Sequence, residues 1–174
     1  MRHLITMYAA RAALLAMLGL ATACGEDAPT GTDLTRADLE TEISGMYEPD
    51  DPEETLTTAC AGDLRAAADA TQDCTVTTGD QEVGIRAVVT DPGADDLGLE
   101  TTPFLPPETV ADAVAQSLEI QGYTGVSATC DGDLIGEVGQ AVVCELVTPE
   151  GDTMVNVDVT SVDGLLINFD FKSA

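Results

Sequence analysis

The sequence predicts an α+β protein built from two tandem repeats, each with one amphipathic helix packed on a roughly four-stranded antiparallel sheet and each with one disulfide. Two cysteine pairs, Cys60 with Cys74 and Cys130 with Cys144, have the same internal spacing. Each pair follows a stretch with helical periodicity and is followed by stretches with strand alternation. A chain of 174 residues is long enough for two small domains.

The repeat is visible when the chain is aligned with itself at an offset of 70 residues. The motif Cys-x-Gly-Asp-Leu then coincides with its second copy, and the match continues to Thr78 and Thr148. Beyond these residues we align Val83 with Val155, which places a two-residue insertion in a turn of the second repeat. So extended a match indicates a duplicated domain.

Each repeat begins with a predicted helix. In the first, Leu39, Ile43 and Met46 recur at i, i+4 and i+7, behind Thr35 and Asp38 at the spacing of a capping box. Prolines begin the second helix and a glycine ends it. Its residues are, in order, Pro106, Pro107, Val110, Val114, Leu118 and Gly122.

Strand alternation is clearest in the second repeat and predicts a sheet with one apolar face. The first repeat departs from the pattern at Gln72 and Asp73, where the second has two valines, and its last strand near Leu97 and Leu99 is weak. We therefore expect the first repeat to be less stable. The alternating apolar positions of the second repeat are Val155, Val157 and Val159, then Ile167, Phe169 and Phe171.

The amino terminus, residues 1–23, has a basic start and a short apolar run, as in an export signal. The run is too short for a transmembrane helix, which needs about 20 apolar residues. It ends in Leu-Ala-Thr-Ala-Cys24, which resembles a bacterial lipobox. We predict lipid modification of Cys24 and anchoring to the extracytoplasmic face of the bacterial cell membrane. The alternative is a plain secretory signal with an incidental cysteine.

Lipidation of Cys24 would also explain why the chain has an odd number of cysteines, five in all. We predict disulfides Cys60–Cys74 and Cys130–Cys144, each worth about 3 kcal/mol in the chain-entropy model. Metal binding by four free thiols is the alternative, and it would favour close Cys-x-x-Cys pairs, which this sequence lacks. The predicted organisation is a signal peptide (1–23), a tether (24–33), a first, degenerate repeat (34–102) and a second repeat (103–174).

These features together resemble the domain of unknown function 4333, a family of actinobacterial secreted proteins and lipoproteins. The resemblance rests on the lipobox, the amphipathic helix, Cys-x-Gly-Asp-Leu, a cysteine fourteen residues after the first, and a valine-rich hairpin. The second repeat matches best, and the first departs at Gln72 and Asp73. The resemblance implies an envelope setting and a conserved disulfide, with no established activity or catalytic residues.

The composition argues against several functions. A net charge of −26 repels nucleic acid and anionic lipid headgroups. His3, in the signal, is the only histidine, so histidine-based catalytic and metal sites are not available to the mature protein, and we predict neither enzymatic activity nor a cofactor. Two acidic clusters have the oxygen ligands that calcium prefers, but such runs are more typical of solvated loops. The clusters are Asp50, Asp51, Glu53 and Glu54, and Asp131 with Asp133.

The function that these features favour is a non-enzymatic binding module of the cell envelope, whose partner is an envelope protein or a cell-wall component. One alternative is an inhibitor or sensor of an envelope hydrolase, which rests on fold analogy alone. The other is a small lipid or glycan carrier, which requires a cavity between helix and sheet.

Overall fold

A computed structural model describes residues 31–47, 55–79, 81–93 and 97–174. It has the α+β architecture that the sequence predicts, with a helix and an antiparallel sheet in each unit. In chain order the elements are α1 (Arg36–Met46), β1 (Leu56–Cys60), β2 (Thr71–Thr78), β3 (Gln81–Asp91), β4 (Gly98–Leu105), α2 (Pro107–Ile120), β5 (Ser127–Cys130), β6 (Leu134–Ile135), β7 (Ala141–Thr148), β8 (Gly151–Asp163) and β9 (Leu166–Ser173).

The first unit packs α1 against a sheet in which β1, β2, β3 and β4 are neighbours in that order. Helix α1 begins as predicted, because the Thr35 hydroxyl accepts the Asp38 N–H at its N-terminus. Leu39 and Ile43 are fully buried, whereas Met46 in the last turn is 42% exposed. The predicted apolar stripe is therefore right for the first two positions and wrong for the third, where the helix ends beyond the core.

The second unit repeats this arrangement, with α2 packed beside a sheet of order β5-β7-β8-β9. Pro107 is the first helical residue, where its missing N–H costs nothing. Gly122 follows the helix with a φ of 98°, a conformation that glycine adopts without strain. Val110 and Val114 are fully buried, so the predicted apolar face of α2 is confirmed.

The strand alternation of the second unit is also confirmed, since one face of each strand packs in the core and the other faces outward. The outward positions of β9, including Asn168 and Asp170, are exposed. Phe169 and Phe171 are partly buried against the core. The buried positions on the same faces are Val155, Val157, Val159 and Ile167.

The strand register corrects one detail of the sequence alignment. Cys74 lies opposite Ile85, and Cys144 lies opposite Val155. Ile85 is therefore the counterpart of Val155, and the alignment of Val83 with that residue was wrong. The β2–β3 and β7–β8 hairpins both close around two residues, so no insertion is needed and the offset of 70 holds through the hairpin.

Strand β4 joins the two units without a linker. It pairs along its length with β3, and its last residues pair with β6, where Leu105 lies opposite Leu134. The first unit has the same contact in its isolated bridge between Leu34 and Leu64. The predicted weak strand is thus eight residues long and spans the expected boundary between residues 102 and 103. The buried side chains of both units form one contiguous cluster.

Candidate functional site

An open cleft of about 480 Å³ lies beside the loop that connects the two cysteines of the first disulfide, Cys60 and Cys74. Cys60 and Cys74 face each other on β1 and β2, and the chain then returns to the core at the buried Leu64. Between Leu64 and β2, Arg65 and Asp69 are exposed, and the small side chains of three alanines leave the cleft open. It is lined by Asp63, Arg65, Ala67, Ala68, Asp69, Ala70, Thr71 and Gln72.

Hydrogen bonds fix the cleft loop at three points. The Asp69 N–H donates to the Val89 carbonyl at 3.0 Å, and the Val89 N–H donates to the Ala70 carbonyl at 2.9 Å. The Ala66 N–H donates to Asp33 Oδ1 at 2.8 Å, which attaches the loop to the segment preceding α1. The cleft is therefore preformed by the fold, as small-molecule sites generally are.

Asp69 adopts a left-handed backbone conformation, with a φ of 60°. Its counterpart in the second unit is Gly139, with a φ of 92°, and both N–H groups donate to equivalent carbonyls on the neighbouring strand. This conformation costs a non-glycine residue free energy, although aspartate tolerates it better than most. The first unit therefore keeps a carboxylate at the cleft where glycine would be less strained.

The second unit provides an internal comparison because its corresponding loop has different side chains. Arg65 corresponds to Ile135, which lies in β6 and pairs with β4. Gln72, partly buried at the cleft, corresponds to the buried Val142. The alanines correspond to Glu137, Val138 and Gln140. Polar and small side chains thus stand in the first unit where larger or apolar ones stand in the second.

The cleft carries charges of both signs. Arg65 is exposed and has no carboxylate at ion-pair distance among the described residues. Asp63 Oδ1 accepts the Arg36 N–H at 2.8 Å, at the N-terminus of α1. The Asp69 carboxylate has no hydrogen-bond partner within the described ranges. One cationic and one anionic group of the cleft are therefore free to bind a ligand.

A second polar cluster lies near the junction of the units and is centred on Arg86. Its guanidinium donates to both oxygens of Asp73, at 2.8 and 2.9 Å, and contacts Asp133 at 3.4 Å. It also lies 5.1 Å from the centre of the Phe104 ring. The hydrogen bonds to Asp73, opposed in part by burial, raise the pKa of Arg86 above its ordinary value.

The Phe104 ring lies against Gly84, where a Cβ atom would overlap the ring. Because its guanidinium contacts two carboxylates and a ring, Arg86 connects β3 to β2, β4 and the second unit and is not a free charge.

Glu40 connects α1 to β1. Its Oε1 accepts the Cys60 N–H at 3.0 Å and the Arg36 Nε–H at 2.9 Å. These two bonds, the backbone one first, lower the pKa of Glu40 below its ordinary value. The second unit has the buried Ala111 at this position, so the contact belongs to the first unit alone.

The structure tests some of the site residues predicted from the sequence, and others lie outside the described residues. The disulfides Cys60–Cys74 and Cys130–Cys144 are both formed, so this prediction is confirmed. Cys24, the predicted lipidation site, lies outside the described residues. So does the acidic run at residues 50–54.

Of the second acidic cluster, Asp131 is exposed and Asp133 contacts Arg86. In the described part of the chain, no three histidine, cysteine, aspartate or glutamate residues are grouped as metal ligands. Neither helix described here is long and apolar enough to cross a membrane.

Sequence reasoning missed both polar clusters. The sequence pattern indicates only degeneracy of the first repeat at Gln72 and Asp73, but Gln72 lines the cleft and Asp73 binds Arg86. The feature of the sequence that could have indicated these clusters is that the first repeat has polar residues, next to its disulfide, at positions where the second repeat has apolar ones. The partners of these residues are distant along the chain, so the signal did not indicate a site.

The comparison with known families agrees with the internal repeat. The family model described as domain of unknown function (DUF4333) matches the chain twice, over residues 15–93 and 96–164. No curated protein and no solved structure matches the chain. Since the two matches together cover most of the sequence, the chain belongs to the DUF4333 family and carries two tandem copies of its domain.

Proposed function

We propose that this protein is a lipid-anchored extracytoplasmic lipoprotein, and that its tandem domains form a non-enzymatic binding module of the cell envelope. The proposed binding role rests on the difference between the two repeats at the cleft. One repeat retains apolar or large side chains there, while the other has a free arginine, a strained aspartate and small residues around an open cleft.

The position of the cleft fits an anchored protein. The Ala66 N–H of the cleft loop donates to Asp33, the last residue of the predicted tether. The segment from Cys24 to Gly31 extends no more than about 25 Å. Anchoring at Cys24 would therefore hold the cleft close to the membrane, so its partner is a component of the envelope at that depth.

The anchor is tested by Cys24→Ser, with Thr22→Ser as the matched control. We expect Cys24→Ser to leave the membrane fraction and to lose the mass of the acyl chains, because a thioether cannot form on serine. Thr22→Ser should remain in the membrane fraction. Membrane association that is unchanged in Cys24→Ser would refute lipid anchoring at this residue.

The binding role is tested by capture of envelope components with the full-length protein. The informative variant is Arg65→Gln, which removes the free cation of the cleft. Its matched control is Arg36→Gln, which makes the same charge change at an arginine already paired with Glu40 outside the cleft. We expect a component retained by the native protein and by Arg36→Gln to be lost with Arg65→Gln. Identical captured sets from all three proteins would contradict a binding role for the cleft.

A further inference from the structure

We propose that the cleft binds a small zwitterion of the amino-acid type, such as a free amino acid or a short peptide with both termini free. This inference rests on the proposed binding role of the cleft and names its ligand class. Three observations support it: the charges that line the cleft, the small side chains of its walls, and the backbone conformation of the aspartate at its edge.

The charges of the cleft complement a zwitterion. The Arg65 guanidinium has no ion-pair partner among the described residues, and its planar set of donors matches a carboxylate. The Asp69 carboxylate accepts no hydrogen bond in the described ranges, and a carboxylate attracts an ammonium group. A purely anionic ligand would be repelled by Asp63 and Asp69, and a purely cationic one would leave the Arg65 guanidinium without a partner.

The walls of the cleft favour a small polar ligand. Ala67, Ala68 and Ala70 contribute only methyl groups, and Thr71 and Gln72 add hydrogen-bonding groups. The volume, about 480 Å³, accommodates a dipeptide, and the lining lacks the aromatic side chains that bind larger apolar ligands.

The strain at Asp69 supports the same inference. Gly139 shows that this fold accepts glycine at the equivalent position, with the same hydrogen bond to the neighbouring strand. A non-glycine residue in a left-handed conformation is a candidate for a functional role, although aspartate tolerates this conformation better than most residues. Binding of the ligand's ammonium group would explain why this position has an aspartate and not a glycine.

The test uses saturation-transfer difference NMR of the full-length protein in detergent, with alanyl-alanine as the probe. We expect binding of alanyl-alanine, and about tenfold weaker binding of N-acetyl-alanyl-alanine and of alanyl-alanine amide, each of which loses one charge-assisted hydrogen bond. Arg65→Gln should lose discrimination against the amide, and Asp69→Asn should lose discrimination against the acetylated peptide. Asparagine tolerates the left-handed conformation, so Asp69→Asn removes the charge without disturbing the loop.

Arg36→Gln is the control and should bind alanyl-alanine as the native protein does. Three outcomes would overturn the inference: no signal from alanyl-alanine at millimolar concentration, equal binding of the blocked peptides, or tighter binding of glycerophosphoethanolamine, the zwitterionic phosphodiester of a lipid headgroup. If alanyl-alanine does not bind while envelope capture still depends on Arg65, the ligand class is wrong and the proposed binding module stands.

Discussion

The aspartate of the repeated Cys-x-Gly-Asp-Leu motif should have different energetic roles in the two units. In the first, Asp63 Oδ1 accepts the Arg36 N–H at 2.8 Å, one of the unsatisfied donors at the start of α1. In the second, the residue equivalent to Arg36 is Pro107, which has no N–H to donate. Asp133 is therefore released from this role and contacts Arg86 of the first unit instead.

The geometry gives an expected size for each contribution. Asp63→Ala removes a capping hydrogen bond and a favourable charge at a helix N-terminus, which together stabilise by about 1 kcal/mol. The pair of Asp133 and Arg86 is separated by 3.4 Å, and the two side chains are 34% and 36% exposed. After solvent screening such a pair contributes about 0.3 kcal/mol, so Asp133→Ala should be clearly milder than Asp63→Ala.

Urea unfolding of the two variants measures this difference, and amide hydrogen exchange locates it. Asp63→Ala should accelerate exchange of the Arg36 amide about fivefold, because its acceptor is lost. Asp133→Ala should leave that amide unchanged. In a double-mutant cycle with Arg86→Gln, only the Asp133 substitution should show coupling.

Equal destabilisation by both substitutions, together with unchanged exchange at Arg36, would refute this reasoning. It would mean that the motif aspartate acts in the same way in both repeats, through its own turn rather than through α1 or Arg86.

Three further predictions follow from single contacts. Asp69→Gly should raise the free energy of unfolding by about 0.5 to 1 kcal/mol, and Gly139→Asp should lower it by a similar amount, since the left-handed conformation favours glycine. Gly84→Ala should destabilise by about 1 to 3 kcal/mol in urea unfolding, because its Cβ would overlap the Phe104 ring. Glu40 has a folded pKa below its ordinary value of 4.5, so its stabilising contribution is present above that pH and is lost as the pH falls through the folded pKa. In Glu40→Gln, the free energy of unfolding should therefore decrease less steeply than in the native protein as the pH falls below neutral.

Each of these has a clear contrary result. Destabilisation by Asp69→Gly would show that the aspartate side chain stabilises the loop more than its backbone strain costs. Native stability of Gly84→Ala would show that the Phe104 ring can move without loss. An acid limb that is unchanged in Glu40→Gln would show that other carboxylates govern unfolding below neutral pH.

Local spacing in the sequence determined the repeat, the helices, the strand faces and the two disulfides. These features depend on residues close in the chain: an apolar period sets a helix or strand face, and a cap or glycine sets a helix end. The cysteines, fourteen residues apart, needed only one hairpin-like return to meet.

Only the tertiary structure determined how the units join and where the polar clusters form. The pairing of β4 with β6 and the contact of Arg86 with Asp133 bring together residues that are far apart in sequence. Register decides which side chains meet across a sheet. A shift of two residues leaves the apolar alternation intact, so the alternation alone does not distinguish Val83 from Ile85 as the counterpart of Val155. The cleft arises because small side chains leave space beside a loop whose path is fixed by Val89 and Asp33. That path depends on long-range hydrogen bonds, which no local pattern encodes.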